Sequence, residues 1–474
     1  MSDSAPAPLY QAREPIFPRK VKGKFRTLKW WIMGFTLGIY YLTPFLRWDR
    51  GPSLPDQAVL VDLASRRFFF FMIEIWPHEF YFVAGLLIMA GLGLFLFTSA
   101  LGRVWCGYAC PQTVWTDLFM LVERWIEGDR NAQVRLWKQK WDLHKWRLRL
   151  FKWAIWLLIG LATGGAWVFY FTDAPTLARD LLAGTAHPAA YTTMAILTLT
   201  TFTFGGFFRE QICIYACPWP RIQAAMMDED TLTVAYREWR GEPRGKATVE
   251  GNGDCIDCMA CVNVCPMGID IRNGQQLECI TCALCIDACD DVMDKIGKPR
   301  GLIDYLALKD EPLERAGMQP RPIWQHILRP RTMVYTVLWS LIGIGLVVAL
   351  FLRTPIGVNV TPVRNPEYVT LSDGRIRNIY ELRLQNKHGE ARTFHLSIAS
   401  DEVIRIGLEG TNELTVQVPP DGMVMQRVYL SAEAGSAAAL ADRTDVRFWV
   451  EDLGSTDRVH VDTGFNGTGA GDGN

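Results

Sequence analysis

Two cysteine-rich runs define the central part of this chain, CIDCMACVNVCP at residues 255–266 and CITCALCIDAC at residues 279–289. Each run has three cysteines separated by two residues and a fourth cysteine after three more, and the first run ends in Pro266. This spacing is typical of bacterial two-cluster ferredoxins. Structural zinc sites use paired C-x-x-C knuckles and need no third cysteine in each run. The pattern therefore predicts a bacterial-type ferredoxin domain with two 4Fe-4S clusters over residues 250–295.

The fourth cysteine of each run is predicted to serve the other cluster. Three thiolates two residues apart enclose one cluster, and in the two-cluster arrangement the fourth thiolate arrives from the other run. Asp290 replaces the proline expected after Cys289, which affects the local turn and not the ligands. The predicted ligands are Cys255, Cys258, Cys261 and Cys289 for the first 4Fe-4S cluster, and Cys279, Cys282, Cys285 and Cys265 for the second.

The other four cysteines lie in a duplicated motif, CGYACP at residues 106–111 and CIYACP at residues 213–218. A residue before proline avoids helical geometry, whereas proline suits the first helical turn. Cys110 and Cys217 are therefore expected at helix starts, where the helix dipole favours a thiolate. Converging thiolates suit a soft ion such as Cu(I), or iron, better than a hard cation. We predict a shared metal or redox site of Cys106, Cys110, Cys213 and Cys217.

Two other interpretations of these four cysteines remain open on the residues alone. They could be small buried side chains that only pack. Each pair could also form a transient disulfide that the neighbouring clusters reduce.

Several apolar stretches are close to the length of about 20 residues that a membrane-spanning helix needs. Eighteen tryptophans, many of them beside these stretches, fit the aromatic belt of a membrane interface. The net charge of -1 gives no global basic field for nucleic acid, and no cysteine follows Cys289, which excludes a disulfide-stapled secreted fold. Five transmembrane helices are predicted, at residues 30–46, 80–101, 153–172, 188–208 and 333–352.

Lysine and arginine are concentrated before the first predicted span and in the loop 102–152, whereas the loop 172–187 has only Arg179. By the positive-inside rule, the basic segments lie on the cytoplasmic side of a bacterial inner membrane. The predicted organisation is a cytoplasmic basic tail (1–29), a four-helix membrane domain (30–208), a cytoplasmic segment with the ferredoxin domain (209–332), a fifth membrane helix (333–352) and a periplasmic domain (353–465).

Short runs of alternating apolar and polar residues fill the C-terminal part, with turn residues between them. They predict an immunoglobulin-like β-sandwich, followed by a disordered tail at 466–474. Near the membrane, the apolar run 68–76 is too short to span and is expected to pack or lie at the interface, and residues 114–153 are expected to form a helix on the inner leaflet. The predicted strands of the sandwich are residues 380–384, 393–398, 414–418, 423–430 and 446–450.

The stretch GRVWCGYACPQTVW at residues 102–115, with its repeat, the ferredoxin segment and the all-β tail, resembles the CcoG family of cytochrome c oxidase accessory proteins, also called RdxA or FixG. The resemblance implies a cupric reductase that reduces Cu(II) to Cu(I) during assembly of a cbb-type oxidase. Copper would be held by the four duplicated-motif cysteines, with electrons from an unidentified cytoplasmic donor. Membrane lipid and oxidase subunits or copper-delivery proteins are the implied partners.

Two further functions remain open at this point. One is membrane electron transfer linked to quinol. The other is a non-redox assembly scaffold with structural clusters. The residues alone indicate membrane-edge redox chemistry and no more.

Overall fold

This computed structural model describes residues 15–51, 54–247, 249–354, 356–420 and 422–469. The chain divides into two units, Met1–Arg47 with Gln57–Leu346, and Trp48–Asp56 with Val347–Asn474. Part of each predicted tail, residues 1–14 and 470–474, lies outside the described residues.

Helices form most of the first unit. Two π-helical turns, Phe204–Phe208 and Ile212–Ala216, follow its eighth helix. The helices are α1 (Lys24–Leu42), α2 (Tyr81–Leu101), α3 (Val104–Tyr108), α4 (Pro111–Glu127), α5 (Arg130–Lys138), α6 (Leu143–Thr163), α7 (Ala174–Ala183), α8 (Pro188–Thr203), α9 (Trp219–Met226), α10 (Glu238–Gly241), α11 (Ala260–Val264), α12 (Leu284–Ile296), α13 (Glu311–Arg315), α14 (Ile323–Ile327) and α15 (Pro330–Phe351).

Three helices in the described part of the chain are long and apolar enough to cross a membrane: α2, α6 with the turn that extends it to Tyr170, and α15. The prediction of five such helices is therefore corrected to three candidates. Helix α1 has Lys24, Arg26 and Lys29 in its first two turns, which lowers its hydropathy. Helix α8 has only 16 residues, six of them threonine, before the π-helical turn begins.

The segment predicted as one surface helix at 114–153 forms three helices instead. Gly128, with φ of +85°, ends α4 in a conformation that favours glycine. Asp142 caps α6 by accepting a hydrogen bond from the Lys145 amide. The residues beyond Asp142 therefore belong to a candidate membrane helix.

A buried ion cluster joins α1 to α4. The Asp117 carboxylate lies 3.0 Å from Arg26 Nη1 and 3.2 Å from Lys29 Nζ, and all three side chains are buried. Burial alone would raise the pKa of Asp117, but the charges of Lys29 and Arg26 hold it below its usual value. Asp117 therefore remains a carboxylate at neutral pH.

Two small antiparallel sheets complete the first unit. The run predicted to pack or lie at the interface, residues 68–76, supplies two strands of the first sheet, and Phe69 is buried in it. The second sheet lies against the cysteine-rich segment, since its Val234, Tyr236 and Ile303 pack with Cys255 and Cys289. The strands are β1 (Val59–Asp62), β2 (Arg67–Phe70), β3 (Ile73–Ile75), β4 (Thr233–Tyr236) and β5 (Ile303–Leu306).

The second unit is a β-sandwich of two antiparallel sheets. One sheet has the order β10-β12-β8-β6, with β7 paired to β8, and the other has the order β11-β9-β13-β14. Its elements are β6 (Ile356–Pro362), β7 (Val369–Thr370), β8 (Ile376–Asn386), β9 (Arg392–Ser400), β10 (Ile404–Leu408), β11 (Thr415–Val418), β12 (Met423–Ala432), α16 (Ala437–Leu440), β13 (Arg443–Asp452) and β14 (Arg458–Asn466).

Alternate residues of each central strand face the core of this sandwich, as the sequence pattern predicts. Tyr380 and Phe448 meet edge to face there with ring centroids 5.4 Å apart, and both are fully buried. The five predicted strands fall within β8, β9, β11, β12 and β13, with Leu414 just before β11. The predicted disordered tail starts too early, because Asn466 belongs to β14 and the Thr468 amide donates to the Ala439 carbonyl.

Candidate metal and redox centre

Four cysteines line a first small cavity in the cysteine-rich segment. Three come from the loop that precedes α11 and its first turn, and the fourth comes from α12. The other walls include Tyr236, Met293 and Ile303. The four cysteines are Cys255, Cys258, Cys261 and Cys289.

A second cavity is lined by the remaining four cysteines of the two runs, and Cys261 also reaches it. Its other walls are apolar and include Val234, Ile269 and Ile271. Each predicted ligand set is thus gathered around one cavity, with the fourth cysteine supplied by the other run. Four thiols in an apolar enclosure suit a 4Fe-4S cluster. The four cysteines are Cys265, Cys279, Cys282 and Cys285.

The two cysteine loops share an unusual backbone. Asp257 and Met259 in the first loop have φ of 53° and 55°, and Thr281 and Ala283 at the matching positions of the second have 53° and 59°. Residues other than glycine seldom adopt this left-handed conformation, which costs on the order of 1 kcal/mol each. The repeated strain shapes both loops alike around their cavities.

The four cysteines of the duplicated motif also come together. Burial, reinforced by the nearby Cys110 and Cys213 thiols, raises the pKa of Cys106 to about 12. Burial with the nearby Cys110 and Cys217 likewise raises the pKa of Cys213 to about 12. These thiols are therefore protonated at neutral pH, and a bound metal would have to displace the protons.

Both proline-flanked cysteines stand before helices, as predicted. Cys110 is the N-cap residue of α4, and Cys217 precedes Pro218, the N-cap residue of α9. The Cys106 thiol donates to Gln223 Oε1 at 3.1 Å, and Gln223 is completely buried. Within the described residues, no three His, Cys, Asp or Glu side chains are arranged to hold a single metal ion.

The first copy of the motif touches the second cluster loop directly. A Cβ atom on Gly107 would lie 2.7 Å from the Ile280 carbonyl oxygen and 3.0 Å from the Cα atom of Cys282. The Tyr108 hydroxyl donates to the Cys282 carbonyl at 3.2 Å. The backbone of the first motif can approach the backbone of the second cluster loop because Gly107 has no side chain.

The second copy does not repeat this contact. Ile214 occupies the position that corresponds to Gly107. Tyr215 is 75% exposed, whereas Tyr108 is 4% exposed. Cys213 and Ile214 of the second copy nevertheless pack on the hydrophobic cluster that includes Ile280 and Cys282.

Sequence reasoning missed several residues of this centre. The buried Arg103 guanidinium donates to the Leu277, Cys279 and Pro220 carbonyls, and so joins the first motif to the second cluster loop. Gln223 and Gly107 were also unassigned. The replacement of glycine by isoleucine between CGYACP and CIYACP could have drawn attention to Gly107. Arg103 and Gln223 could not be found in this way, because their partners are far away in the sequence.

Comparison with protein families extends these observations. A 4Fe-4S dicluster domain matches residues 208–307, a 4Fe-4S binding domain matches residues 82–128, and the Ig-like fold at the C-terminus of FixG matches residues 346–468. The chain therefore carries two 4Fe-4S clusters and an immunoglobulin-like domain. The match at 82–128 includes Cys106 and Cys110.

Three relatives are similar over nearly the whole chain. Protein RdxB of Cereibacter sphaeroides is 72% identical and is aligned over 98% of this chain and 99% of its own length. Protein RdxA of the same organism is 65% identical, over 94% and 95%. Nitrogen fixation protein FixG of Rhizobium meliloti is 52% identical, over 98% and 94%.

Proposed function

Because this chain belongs to the RdxA/FixG family of iron–sulfur electron-transfer proteins, we propose that it reduces Cu(II) to Cu(I) at the four duplicated-motif thiols. In this proposal the reduced ion is supplied to a cbb-type cytochrome c oxidase during its assembly. The observation that carries the proposal is the contact of Gly107 and Tyr108 with the backbone of Cys282, which joins the thiol site to a cluster loop.

The residues have distinct roles in the proposed reaction. The two clusters, when bound, supply one-electron transfer at low potential. Cys106, Cys110, Cys213 and Cys217 bind copper, since soft thiolates prefer Cu(I). Each Cu(II) gains one electron and leaves as Cu(I). Gln223 positions the Cys106 thiol.

The test uses the full-length protein, reduced without oxygen and freed of excess reductant. Mixing with Cu(II) should reoxidise the clusters, seen as the return of their visible absorbance, and should release Cu(I) to a specific chelator at the same rate. Serine at all four thiol positions should slow both signals about tenfold or more. The Tyr215→Phe variant, changed at an exposed position of the same motif, should behave as the parent does. Cluster oxidation at the parental rate in the four-serine variant would refute the proposal.

Quinol-linked transfer and a scaffold function make different predictions. Reduction of the clusters by quinol in vesicles would favour the first. Normal oxidase maturation in cells whose clusters are present but redox-inactive would favour the second.

One observation favours an iron–sulfur group, and not copper, at the four thiols. Residues 82–128, which include Cys106 and Cys110, match a 4Fe-4S binding domain. Iron analysis separates the cases, since two clusters give about eight irons per chain and a third gives about twelve. A loss of about four irons in the four-serine variant would assign the site to a third cluster.

We propose that the cluster ligands are exchanged between the two runs, as each set of four lines one cavity. Two double variants test this. Serine at Cys265 and Cys282, which share a cavity, should leave about four irons per chain. Serine at Cys265 and Cys258, which line different cavities, should remove both clusters. The reverse result would show that each run binds its own cluster.

We further propose that all twelve cysteines lie at the cytoplasmic face of the inner membrane. The Arg19 amide donates to the Asn263 carbonyl at 2.7 Å and the Arg26 amide donates to Asp287 at 2.7 Å, so the basic N-terminal segment contacts the cluster domain. The positive-inside rule therefore favours a cytoplasmic location for the basic N-terminal segment and for the cluster domain that it contacts.

Helices α1 and α8 lie beside the candidate span α6, since the Tyr40 hydroxyl donates to the Thr163 carbonyl at 2.5 Å, and a Cβ on Gly160 would lie 3.1 Å from the Thr198 carbonyl. Reporter fusions test the arrangement. A fusion at Gly184 should report the periplasm and one at Gly245 the cytoplasm, and the same compartment for both would refute it.

A further inference from the structure

We infer that a cavity beside the first turns of α6 binds the phosphate headgroup of an anionic phospholipid. The cavity has a volume of about 370 Å³ and opens to the surface. It lies in the first unit, apart from the cluster cavities. Its walls come from residues 15–17, α4, the segment 137–156 and the second half of the first π-helical turn.

Three cations project into the cavity from one face of α6. Lys145, Arg149 and Lys152 are spaced four and three residues apart, which places them on the same side of the helix, and all three are buried. Arg209 adds a fourth cation from beyond the π-helical turn, and Glu123 and Glu210 add carboxylates. Burying a cation costs free energy unless the cation is paired. The partners of these four cations therefore indicate whether the cavity favours an additional anion.

Two of the four cations are fully paired within the protein. Lys152 Nζ lies 3.0 Å from Glu123 and 2.8 Å from Glu127. Arg209 Nη2 lies 2.5 Å from Glu123. Glu123 therefore pairs with both Lys152 and Arg209, and Glu127 pairs with Lys152.

The other two cations lack some of the charge or hydrogen-bond partners that buried cations usually have. Lys145 Nζ donates only to the carbonyls of Trp137 and Gln139, at 3.1 and 2.6 Å, and no carboxylate of the described residues lies within 4.0 Å of it. Arg149 pairs through Nη1 with Glu127 at 3.2 Å, while its Nη2 is buried without a hydrogen-bond partner. A buried ammonium without a counterion and a buried donor without an acceptor both call for an anion with oxygen acceptors. A phosphate group meets both needs.

The place of the cavity identifies the source of that phosphate. Helix α6 is a candidate membrane span, and these cations lie in its first three turns, at the depth of lipid headgroups. Trp137, Trp141 and Trp153 line the cavity, as expected of aromatic residues at a membrane interface. Leu150 and Phe151 are exposed on the outer side of the same helix, where acyl chains would lie.

Native mass spectrometry of the delipidated full-length protein tests this inference. Phosphatidylglycerol should bind at least about tenfold more tightly than phosphatidylcholine, because the quaternary ammonium of choline cancels the negative charge that these cations attract. The double variant Lys145→Gln, Arg149→Gln should lose this preference. The control is Arg147→Gln, which removes one positive charge from an exposed position of the same helix and should keep the preference.

A second variant separates binding from folding. Arg149→Lys keeps the charge and should retain most of the preference, and cluster absorbance reports that each variant is folded. Equal binding of the two lipids would overturn the inference, as would an equal loss in Arg147→Gln. Displacement of the lipid by glycerol 1-phosphate at the same concentration would assign the cavity to a soluble phosphate ester and overturn the lipid assignment.

Discussion

Replacing Gly107 with alanine should disturb the second cluster and leave the first intact. The added Cβ atom would lie 2.7 Å from the Ile280 carbonyl oxygen and 3.0 Å from the Cα atom of Cys282. Both contacts are with backbone, so no flexible side chain can move aside. Ordinary contact requires a shift of about 0.7 Å or more, and overpacking of this kind costs about 1–3 kcal/mol.

The shift would fall on the loop between Cys279 and Cys282, which line the second cavity. Electron paramagnetic resonance of the anaerobically reduced protein should therefore show an altered or missing second signal and an unchanged first one. The oxidation of the clusters by Cu(II) should also slow, because the altered contact joins the two sites. The control is Gly91→Ala in α2, where a Cβ atom would meet nothing within 4 Å. Parental spectra and rates in Gly107→Ala would refute this reasoning.

Three further substitutions have expected outcomes. Arg103→Gln removes a buried positive charge beside Cys279 and should lower the reduction potential of the second cluster by tens of millivolts, since ~59 mV corresponds to a tenfold change for one electron; redox titration measures it. Asp117→Asn leaves buried cations unpaired and should cost about 3–5 kcal/mol, seen as a lower Tm. The lowered pKa of Asp117 means that its contribution is lost only as pH falls through the folded-state pKa, so the Tm deficit should stay constant from about pH 6 to 8. Phe448→Ala should destabilise the β-sandwich by about 3–5 kcal/mol, measured by proteolysis of that domain.

Each of these expectations has an outcome that would contradict it. Arg103→Lys keeps the charge and should restore most of the potential, and a shift as large as that of Arg103→Gln would show that charge is not the cause. A Tm deficit in Asp117→Asn that shrinks as pH rises from 6 to 8 would contradict the assigned ionisation. Val403→Ala, at an exposed position of the same domain, should have little effect, and an equal effect of both substitutions would contradict the assigned core.

Local spacing made the iron–sulfur domain and the sandwich predictable. The two cysteine runs carry their ligand spacing within a dozen residues, and the alternation along β8 reports its buried face directly. The membrane helices were less predictable, because hydropathy treats every residue as if it faced lipid. Lys29 in α1 is buried against Asp117 in the fold, a contact that no local pattern shows.

The centre itself depends on pairs that are far apart in the sequence. Arg103 and Cys279 are separated by 176 residues and Cys106 and Gln223 by 117. Neither pair has a spacing rule, so only the fold reveals them. The cysteines that the fold gathers at the centre were therefore predictable, while the residues that position them were not.

The two copies of the duplicated motif meet the second cluster loop in different ways. Gly107 brings the backbone of the first copy against the backbone of Cys282, whereas the second copy reaches the same region through the side chains of Cys213 and Ile214. The hydrogen bond from Tyr108 to the Cys282 carbonyl therefore gives the first copy a direct connection to that loop, and no equivalent bond from Tyr215 is present in the described residues.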